Sequence, residues 1–135
     1  EKLSTKINLK DNLFNLKDNI VVFKPPETLI KAGYDSDIAL IKRVIGIPGD
    51  KIEVKDGNLY LNDQIQNKFI TDKNINYSIG PVIVPENSLW VMGDNRNNSL
   101  DSHVWGPLPY KKIIGRAFFR YWPLNHFGPI YFPAA

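Results

Sequence analysis

The sequence of 135 residues contains no cysteine and only two histidines, His103 and His126. The absence of cysteine excludes thiolate nucleophiles, cysteine-ligated zinc and disulfide bonds. The scarcity of histidine leaves few candidates for a histidine-based catalytic dyad and almost none for a multi-histidine metal site. No apolar run approaches the roughly 18 residues that a membrane-spanning helix needs. The sequence therefore contains no membrane-spanning segment of its own.

The bulk composition is that of a soluble globular domain. Hydrophobic residues make up 43% and charged residues 23%, and the formal net charge is +3. This mild positive charge permits contact with an anionic lipid surface or a nucleic acid but requires neither. The length predicts a single domain over 1–135, with a lead-in at 1–18, a core at 19–122 and a C-terminal tail at 123–135. Because the chain begins at Glu1 without a methionine or a signal-peptide pattern, we interpret it as part of a longer protein.

Strand signals outnumber helix signals along the chain, and turn residues recur at short intervals. The predicted strands lie within Asn19–Pro26, Ile38–Ile47, Lys51–Asp63, Pro81–Val84, Ser88–Met92 and Arg116–Trp122. Asp56-Gly57 predicts a type I′ hairpin turn within the third of these segments. The polar residues 64–80 are predicted to form a loop. The pattern predicts a mostly β fold, in which short antiparallel strands form a coiled, partly open barrel or two packed sheets.

The segment Ile38–Asp50 places a lysine within an apolar strand. Since side chains alternate along a strand, Leu40, Lys42 and Val44 share one face. One interpretation is an ordinary strand lysine whose amine reaches solvent. The other is a lysine that is kept dry, so that its pKa falls from the ordinary value of about 10.4 and the neutral amine acts as a general base. Periodicity alone leaves both interpretations open.

A second segment, Met92–Gly106, concentrates carboxylates, amides, hydroxyls and an arginine after a predicted strand. Residues of these types are common in surface loops, where they bond their own backbone. The same groups can also form a hydrogen-bond network around a site. In that case Asp94 or Asp101 can pair with Arg96 or Arg43. Either Ser99 or Ser102 can then offer a hydroxyl to the lysine amine.

Two segments, "IKRVIGIPGD" and "GDNRNNSLDS", closely resemble in this order the signature segments of type I signal peptidases. A third, "NIVVFKPP", resembles another strand of that family, and the resemblance covers about Asn19 to Trp122. These membrane-anchored serine endopeptidases, also called leader peptidases, remove signal peptides from exported precursor proteins. The resemblance implies a signal peptidase-like fold and a Ser-Lys dyad that uses no metal and no cofactor. It also implies a location on the extracytoplasmic face of a bacterial plasma membrane or of a thylakoid-type membrane.

The resemblance assigns a role to individual residues. Lys42 falls on the position of the catalytic base, and the neighbouring Arg43 has a structural role. Ser99 matches the serine that orients the lysine amine, and Asp101 matches the aspartate that braces the site through an ion pair. The start of the same segment is matched by Gly93, Asp94, Asn95 and Arg96.

The resemblance also implies where substrates bind. Ala39, Leu40 and Ile41 match the strand that pairs with an extended signal peptide, whose small side chains enter shallow apolar pockets. The implied partners are therefore the signal peptides of precursor proteins and a membrane lipid surface. The C-terminal aromatic residues either pack in the core or reach the lipid interface, and the sequence leaves both interpretations open. A nucleic acid is not an expected partner.

The chain departs from the family pattern in its nucleophile. The family serine lies in a Ser-x-Met-x-Pro-Thr segment upstream, whereas the single methionine here is Met92. We therefore expect the chain to carry the base and the substrate strand without the nucleophile, and to be inactive alone. His103 stands where the family often has an arginine, and it can still bond Asp101. Two alternatives are a non-catalytic relative that binds export substrates and a self-cleaving Ser-Lys protease of the repressor type.

Overall fold

The computed structural model describes residues 13–70, 74–117 and 130–131, which form two antiparallel sheets. The strands are β1 (Ile20–Phe23), β2 (Ile38–Gly46), β3 (Lys51–Lys55), β4 (Asn58–Leu61), β5 (Gln64–Ile65), β6 (Ile79–Ile83), β7 (Ser88–Met92), β8 (Leu108–Pro109), β9 (Ile113–Ala117) and β10 (Ile130–Tyr131). The short α-helices are α1 (Glu27–Lys31) and α2 (Ser102–Trp105), and 3-10 turns cover Leu13–Leu16, Arg96–Asn98 and Tyr110–Lys112. Neither α-helix has both the length and the apolar character to cross a bilayer, nor does any other helix within those described ranges.

The larger sheet has the strand order β8-β7-β2-β1-β9, and β10 also pairs with β2. The long strand β2 is therefore central in the sheet, where it pairs with β1 along one side and with β7 along the other. Lys42 lies opposite Val21 on β1, and Arg43 lies opposite Met92 at the end of β7. This register brings the middle of β2 next to the turn that follows β7.

The smaller sheet has the order β5-β4-β3-β6. Its central hairpin joins β3 and β4 through Asp56 and Gly57, whose φ angles are 52° and 81°. Two consecutive positive φ angles are the signature of the type I′ turn, so this prediction is confirmed.

The hydrophobic core consists of two clusters, and β2 contributes to both. Leu40 and Val44 pack in the first cluster, which also contains Phe23 and Trp105. Ile45 packs in the second cluster, whose other buried members are Ile52, Val54, Leu59, Ile75, Val84, Trp90 and Met92. A strand that is covered on both faces is held firmly, and it can present a side chain at a fixed position.

The prediction of a mostly β fold with two packed sheets is confirmed, but two predicted boundaries are wrong. Residues 64–80 are not only a loop, because β5 and the start of β6 lie within them. The strand predicted over Pro81–Val84 is β6, which begins two residues earlier. Within the described residues it pairs with β3 at the edge of the smaller sheet, where Gly80-Pro81 is tolerated. The last long strand of the larger sheet, β9, begins at Ile113 rather than Arg116, because Ile113 pairs with Phe23. Residues 118–122, most of the tail and residues 1–12 lie outside the described residues.

Candidate active site

The centre of the site is a contact between β2 and the turn after β7. Lys42 Nζ lies 3.0 Å from Ser99 Oγ and donates a hydrogen bond to it. The same oxygen accepts a hydrogen bond from the backbone N–H of Gly93 at 3.1 Å. The structure thus brings together the predicted base and the predicted orienting serine. Ser102, the other candidate, is buried elsewhere, and its Oγ accepts from the N–H of Val91 at 2.9 Å.

Burial lowers the pKa of the Lys42 amine below its ordinary value, because the charged form loses hydration. The negative charges of Asp101 and Asp94 act in the opposite direction and only partly offset this effect. A lysine with a lowered pKa is neutral in a larger fraction of molecules, which is the form that accepts a proton. Of the two interpretations of this lysine, the structure agrees with the dry amine.

Gly93 allows this close approach because it has no side chain. A β-carbon at this position would lie 2.8 Å from Ser99 Cβ and 3.6 Å from Lys42 Nζ. The first distance is shorter than a van der Waals contact, so any larger residue would displace the serine. The Gly93 N–H also lies 2.9 Å from Asp101 Oδ2, so it donates to the side chains of both Ser99 and Asp101.

Asp101 is fully buried and caps the N-terminus of α2, with its Oδ1 accepting the N–H of His103 at 3.0 Å. The same oxygen is in close contact with Nδ1 of the His103 ring. The ring of His103 stacks in parallel on Tyr77, with centroids 3.8 Å apart and an angle of 8° between the planes. The side-chain partner of the aspartate is therefore a histidine.

Arg43 points to a different part of the site and pairs with Asp94. Its Nε and Nη2 lie 3.0 Å from the two carboxylate oxygens, and its Nη1 donates to the carbonyl of Asp18 at 3.1 Å. The guanidinium carbon lies 3.8 Å from the ring centre of Phe69. Of the pairings that the sequence left open, Arg43 with Asp94 is the one observed.

Arg96 is fully buried beneath this turn. Its Nε donates to the carbonyl of Gly93 at 2.9 Å, and its Nη2 donates to that of Lys68 at 3.4 Å. Burial lowers its pKa, an effect that the charges of Asp94, Tyr77 and Asp101 oppose. The carbonyl of Asn95 accepts the N–H of Asn98 at 3.1 Å. Arg96 and Asn95 thus fix the backbone of the turn that carries the other groups.

The predicted substrate strand, Ala39 to Ile41, is buried at 0% to 5% exposure. The N–H and C=O of Val44 bond Asn19 and Asp18 on the β1 side. Since backbone groups alternate between edges, those of Ile41 point to the opposite edge. The register of β7 ends at Arg43, and within the described part of the chain Ile41 pairs only with Val22 on β1. Ala39 already pairs with Ile130 of β10.

Two site neighbours, Tyr77 and Phe69, were missed by the sequence reasoning. Both belong to the polar stretch 64–80, where nothing in the local pattern connects them to Lys42. Only the tertiary fold brings this stretch to the turn after β7. A sequence motif that placed an aromatic residue at a fixed number of positions from a site residue could have identified them, but the sequence contains no such motif.

Comparisons with known proteins identify the family of the chain. Residues 7–122 match the family model described as signal peptidase, peptidase S26. The chain is 50% identical over 105 residues to the probable thylakoidal processing peptidase 2 of Arabidopsis thaliana, covering 78% of this chain and 29% of that protein. It is 48% identical over 113 residues to the probable signal peptidase I-1 of Synechocystis, covering 83% and 57%.

The fold has a solved counterpart. The crystal structure of a signal peptidase I from Enterococcus faecalis superposes with a TM-score of 0.61 at 22% identity, covering 85% of this chain and all of that one. The likeness shows the fold, and the family model shows the family. The chain spans about a third to three fifths of the length of the first curated relatives it matches. The chain belongs to the signal peptidase family of peptidases, S26.

Proposed function

We propose that the protein is a serine endopeptidase that removes signal peptides from exported precursors, with Lys42 as its general base. The observation that carries this proposal is the Lys42 amine, which lies 3.0 Å from Ser99 on a buried strand. Burial lowers the pKa of this amine, as a lysine base requires. The names of the relatives, signal peptidase I and thylakoidal processing peptidase, support the same substrate class.

The chemistry is acyl transfer. Neutral Lys42 takes the proton of a serine hydroxyl while the serine oxygen attacks the carbonyl carbon of the scissile bond. The protonated amine then gives this proton to the leaving amino group, and an acyl-enzyme ester remains. In the second half, Lys42 takes a proton from water, which attacks the ester and releases the serine. Ser99 orients the amine through both halves, and Asp101 with Gly93 orients Ser99.

We assign the nucleophile to a serine upstream of Glu1 in the longer protein. Ser99 is the hydroxyl beside Lys42, but its oxygen already accepts two hydrogen bonds from within the site. The experiment compares this 135-residue chain with the full-length protein on a signal-peptide substrate. We expect turnover by the full-length protein, its loss in Lys42→Met, and no turnover by the chain alone. Robust cleavage by the chain alone would contradict the assignment, and no cleavage by either protein would favour a non-catalytic relative.

The substrate binds as an added strand along β2. The backbone groups of Ile41 that point away from β1 are the donor and acceptor for this strand, and Leu40 and Ile41 contribute to the apolar pockets for its small side chains. Because Ala39 is paired with β10, the peptide begins its pairing at Ile41. A labelled cleavage-product peptide should shift the amide resonance of Ile41 more than that of Glu53 on the other sheet. Equal or absent shifts would contradict this binding mode.

The full-length protein acts at a membrane. We place it on the extracytoplasmic face of a bacterial plasma membrane or on a thylakoid-type membrane, with an anchor outside this chain and with the lipid surface close to the site. The relatives named for thylakoids and for signal peptidase I support this location. Fractionation of the full-length protein should recover it with membranes, and recovery in the soluble fraction would contradict the location.

A further inference from the structure

The proposed mechanism makes no use of the ring of His103. This ring nevertheless connects two parts of the molecule, because it contacts Asp101 through Nδ1 and stacks on Tyr77 at 3.8 Å. Its side chain is only 16% exposed. A ring that is held on one side by a buried carboxylate and on the other by an aromatic ring has one orientation. The Asp101 carboxylate is fixed by the same contact.

A continuous series of contacts runs from this ring to the base. Asp101 accepts from Nδ1 of His103 through Oδ1 and from the N–H of Gly93 through Oδ2, at 2.9 Å. The same N–H lies 3.1 Å from Ser99 Oγ, which is 3.0 Å from Lys42 Nζ. A rotation of the Asp101 carboxylate would therefore remove one of the two acceptors that hold the Gly93 N–H, the group that also bonds the serine beside the lysine amine.

We propose that His103 is a positioning residue, which sets the orientation and the effective charge of Asp101 and thereby controls the proton affinity of Lys42. Nδ1 faces a carboxylate, so it carries the proton and donates, whether the ring is neutral or charged. Tyr77 keeps the ring in the plane that this hydrogen bond needs. The inference rests on the proposed function, in which Lys42 is the base.

Electrostatics connect the two ends of this series. Asp101 is the strongest of the charges that oppose the lowering of the Lys42 pKa. A positive charge beside Asp101 would cancel part of its field at Lys42, whereas a neutral donor would leave that field in place. The other titratable or charged groups near the pair are Tyr77 before β6 and Asp94 and Arg96 after β7. None of them changes in the variants below.

The test is a pH titration of the Lys42 side chain. NMR of its ε-carbon, in lysine-labelled full-length protein, monitors this titration. The variants are His103→Arg, His103→Asn and His103→Ala. We expect His103→Arg to lower the midpoint of the Lys42 titration by about half a pH unit or more, because the permanent positive charge of the arginine offsets the negative charge of Asp101. His103→Asn keeps a neutral donor, so its Lys42 should titrate above that of His103→Arg. His103→Ala should raise the midpoint, because the carboxylate loses a donor and its charge is less dispersed.

The acid limb of the pH profile of kcat/KM should shift in the same order. Val104→Ala is the matched control, because Val104 lies on the exposed side of α2 and is 57% exposed; it should change neither readout. A Lys42 midpoint that is low in the parent and identical in all variants would overturn this inference and leave the proposed function intact. A Lys42 midpoint in the ordinary range of the parent would overturn both. If His103→Ala does not fold, the difference between the arginine and asparagine variants decides.

Discussion

Arg43 and Asp94 form a two-point ion pair that joins β2 to the turn after β7. Nε and Nη2 of the arginine each lie 3.0 Å from a different oxygen of the carboxylate. Both side chains are nearly buried, at 13% and 12% exposure. Because Arg43 follows Lys42 directly, this pair fixes the strand next to the base. A planar guanidinium suits this geometry, and an ammonium group does not.

Removing one partner of this pair should destabilise the protein strongly. Arg43→Met removes both hydrogen bonds that the arginine donates to the nearly buried Asp94 carboxylate, so we expect a loss of about 3 kcal/mol in the free energy of unfolding. Arg43→Lys should lose about 1 kcal/mol or more, because it cannot bond both oxygens. Urea denaturation measures both. The control is Lys112→Met, which breaks the more exposed pair with Glu27 and should change stability by less than about 1 kcal/mol. Equal effects at the two pairs would contradict the argument.

The stability of the protein should depend on pH through Lys42. The pKa of this amine is lowered in the folded state, so between that value and the unfolded value of about 10.4 the unfolded chain holds more protons. The free energy of unfolding therefore rises with pH across that window. Below the window, the full cost of burying the charged Lys42 amine lowers the stability. We expect Lys42→Met to be more stable than the parent at pH 7, with a difference that shrinks as pH rises and is constant above about 10.4.

Denaturation at a series of pH values measures this difference. Lys51 provides a comparison of opposite sign, because its hydrogen bond with Asp63 raises its pKa. Its stabilising contribution is present below the unfolded pKa and is lost as pH rises through the folded pKa. A pH-independent difference between Lys42→Met and the parent would mean that the Lys42 amine is as hydrated in the folded state as in the unfolded chain.

Ser99 and Ser102 are three positions apart, yet their substitution should have opposite consequences. Ser99→Ala removes the acceptor of the Lys42 amine, while the N–H of Gly93 keeps Asp101 as its partner. We expect kcat of the full-length protein to fall roughly 100-fold, with stability nearly unchanged. Ser102→Ala instead leaves the buried N–H of Val91 without its acceptor, so it should lose about 1–3 kcal/mol of stability and keep kcat. Steady-state kinetics and urea denaturation, measured on both variants, separate the effect on kcat from the effect on stability. A larger loss of kcat in Ser102→Ala than in Ser99→Ala would contradict the assignment of Ser99 as the orienting serine.

The sequence was sufficient to predict which residues meet at the candidate site, because the two signature segments carry most of them. Lys42 stands out as a charge within an apolar strand, and the turn after β7 concentrates its polar partners. The choice between Ser99 and Ser102 could be made only from the resemblance, since both are hydroxyls at similar distance along the chain. Tertiary structure decides it, because α2 turns Ser102 back toward β7.

The remaining contacts could not be predicted because they join segments that have no local pattern in common. Tyr77 lies in a polar stretch, and its stacking on His103 depends on how the smaller sheet packs against the turn. The edge strand β6 was predictable from its apolar run Pro81–Val84, but its first two residues, Ile79 and Gly80, lie in the stretch that was predicted to be a loop. The hairpin at Asp56-Gly57 was predictable because its turn geometry is encoded in two adjacent residues.

The absence of a side chain at Gly93 should matter more for catalysis than for folding. Gly93→Ala would put a methyl group 2.8 Å from Ser99 Cβ, so the serine must move away from the lysine amine. A displacement of this kind should lower kcat about 100-fold. Gly46→Ala is the control: its methyl group would lie 2.7 Å from the end of Ile52 in the second core cluster, so it should lose about 1–3 kcal/mol of stability. Its kcat should remain that of the parent, because Ser99 and Lys42 are not displaced. If Gly93→Ala kept full activity in steady-state assays, the close approach of Gly93 to Ser99 would have no catalytic significance.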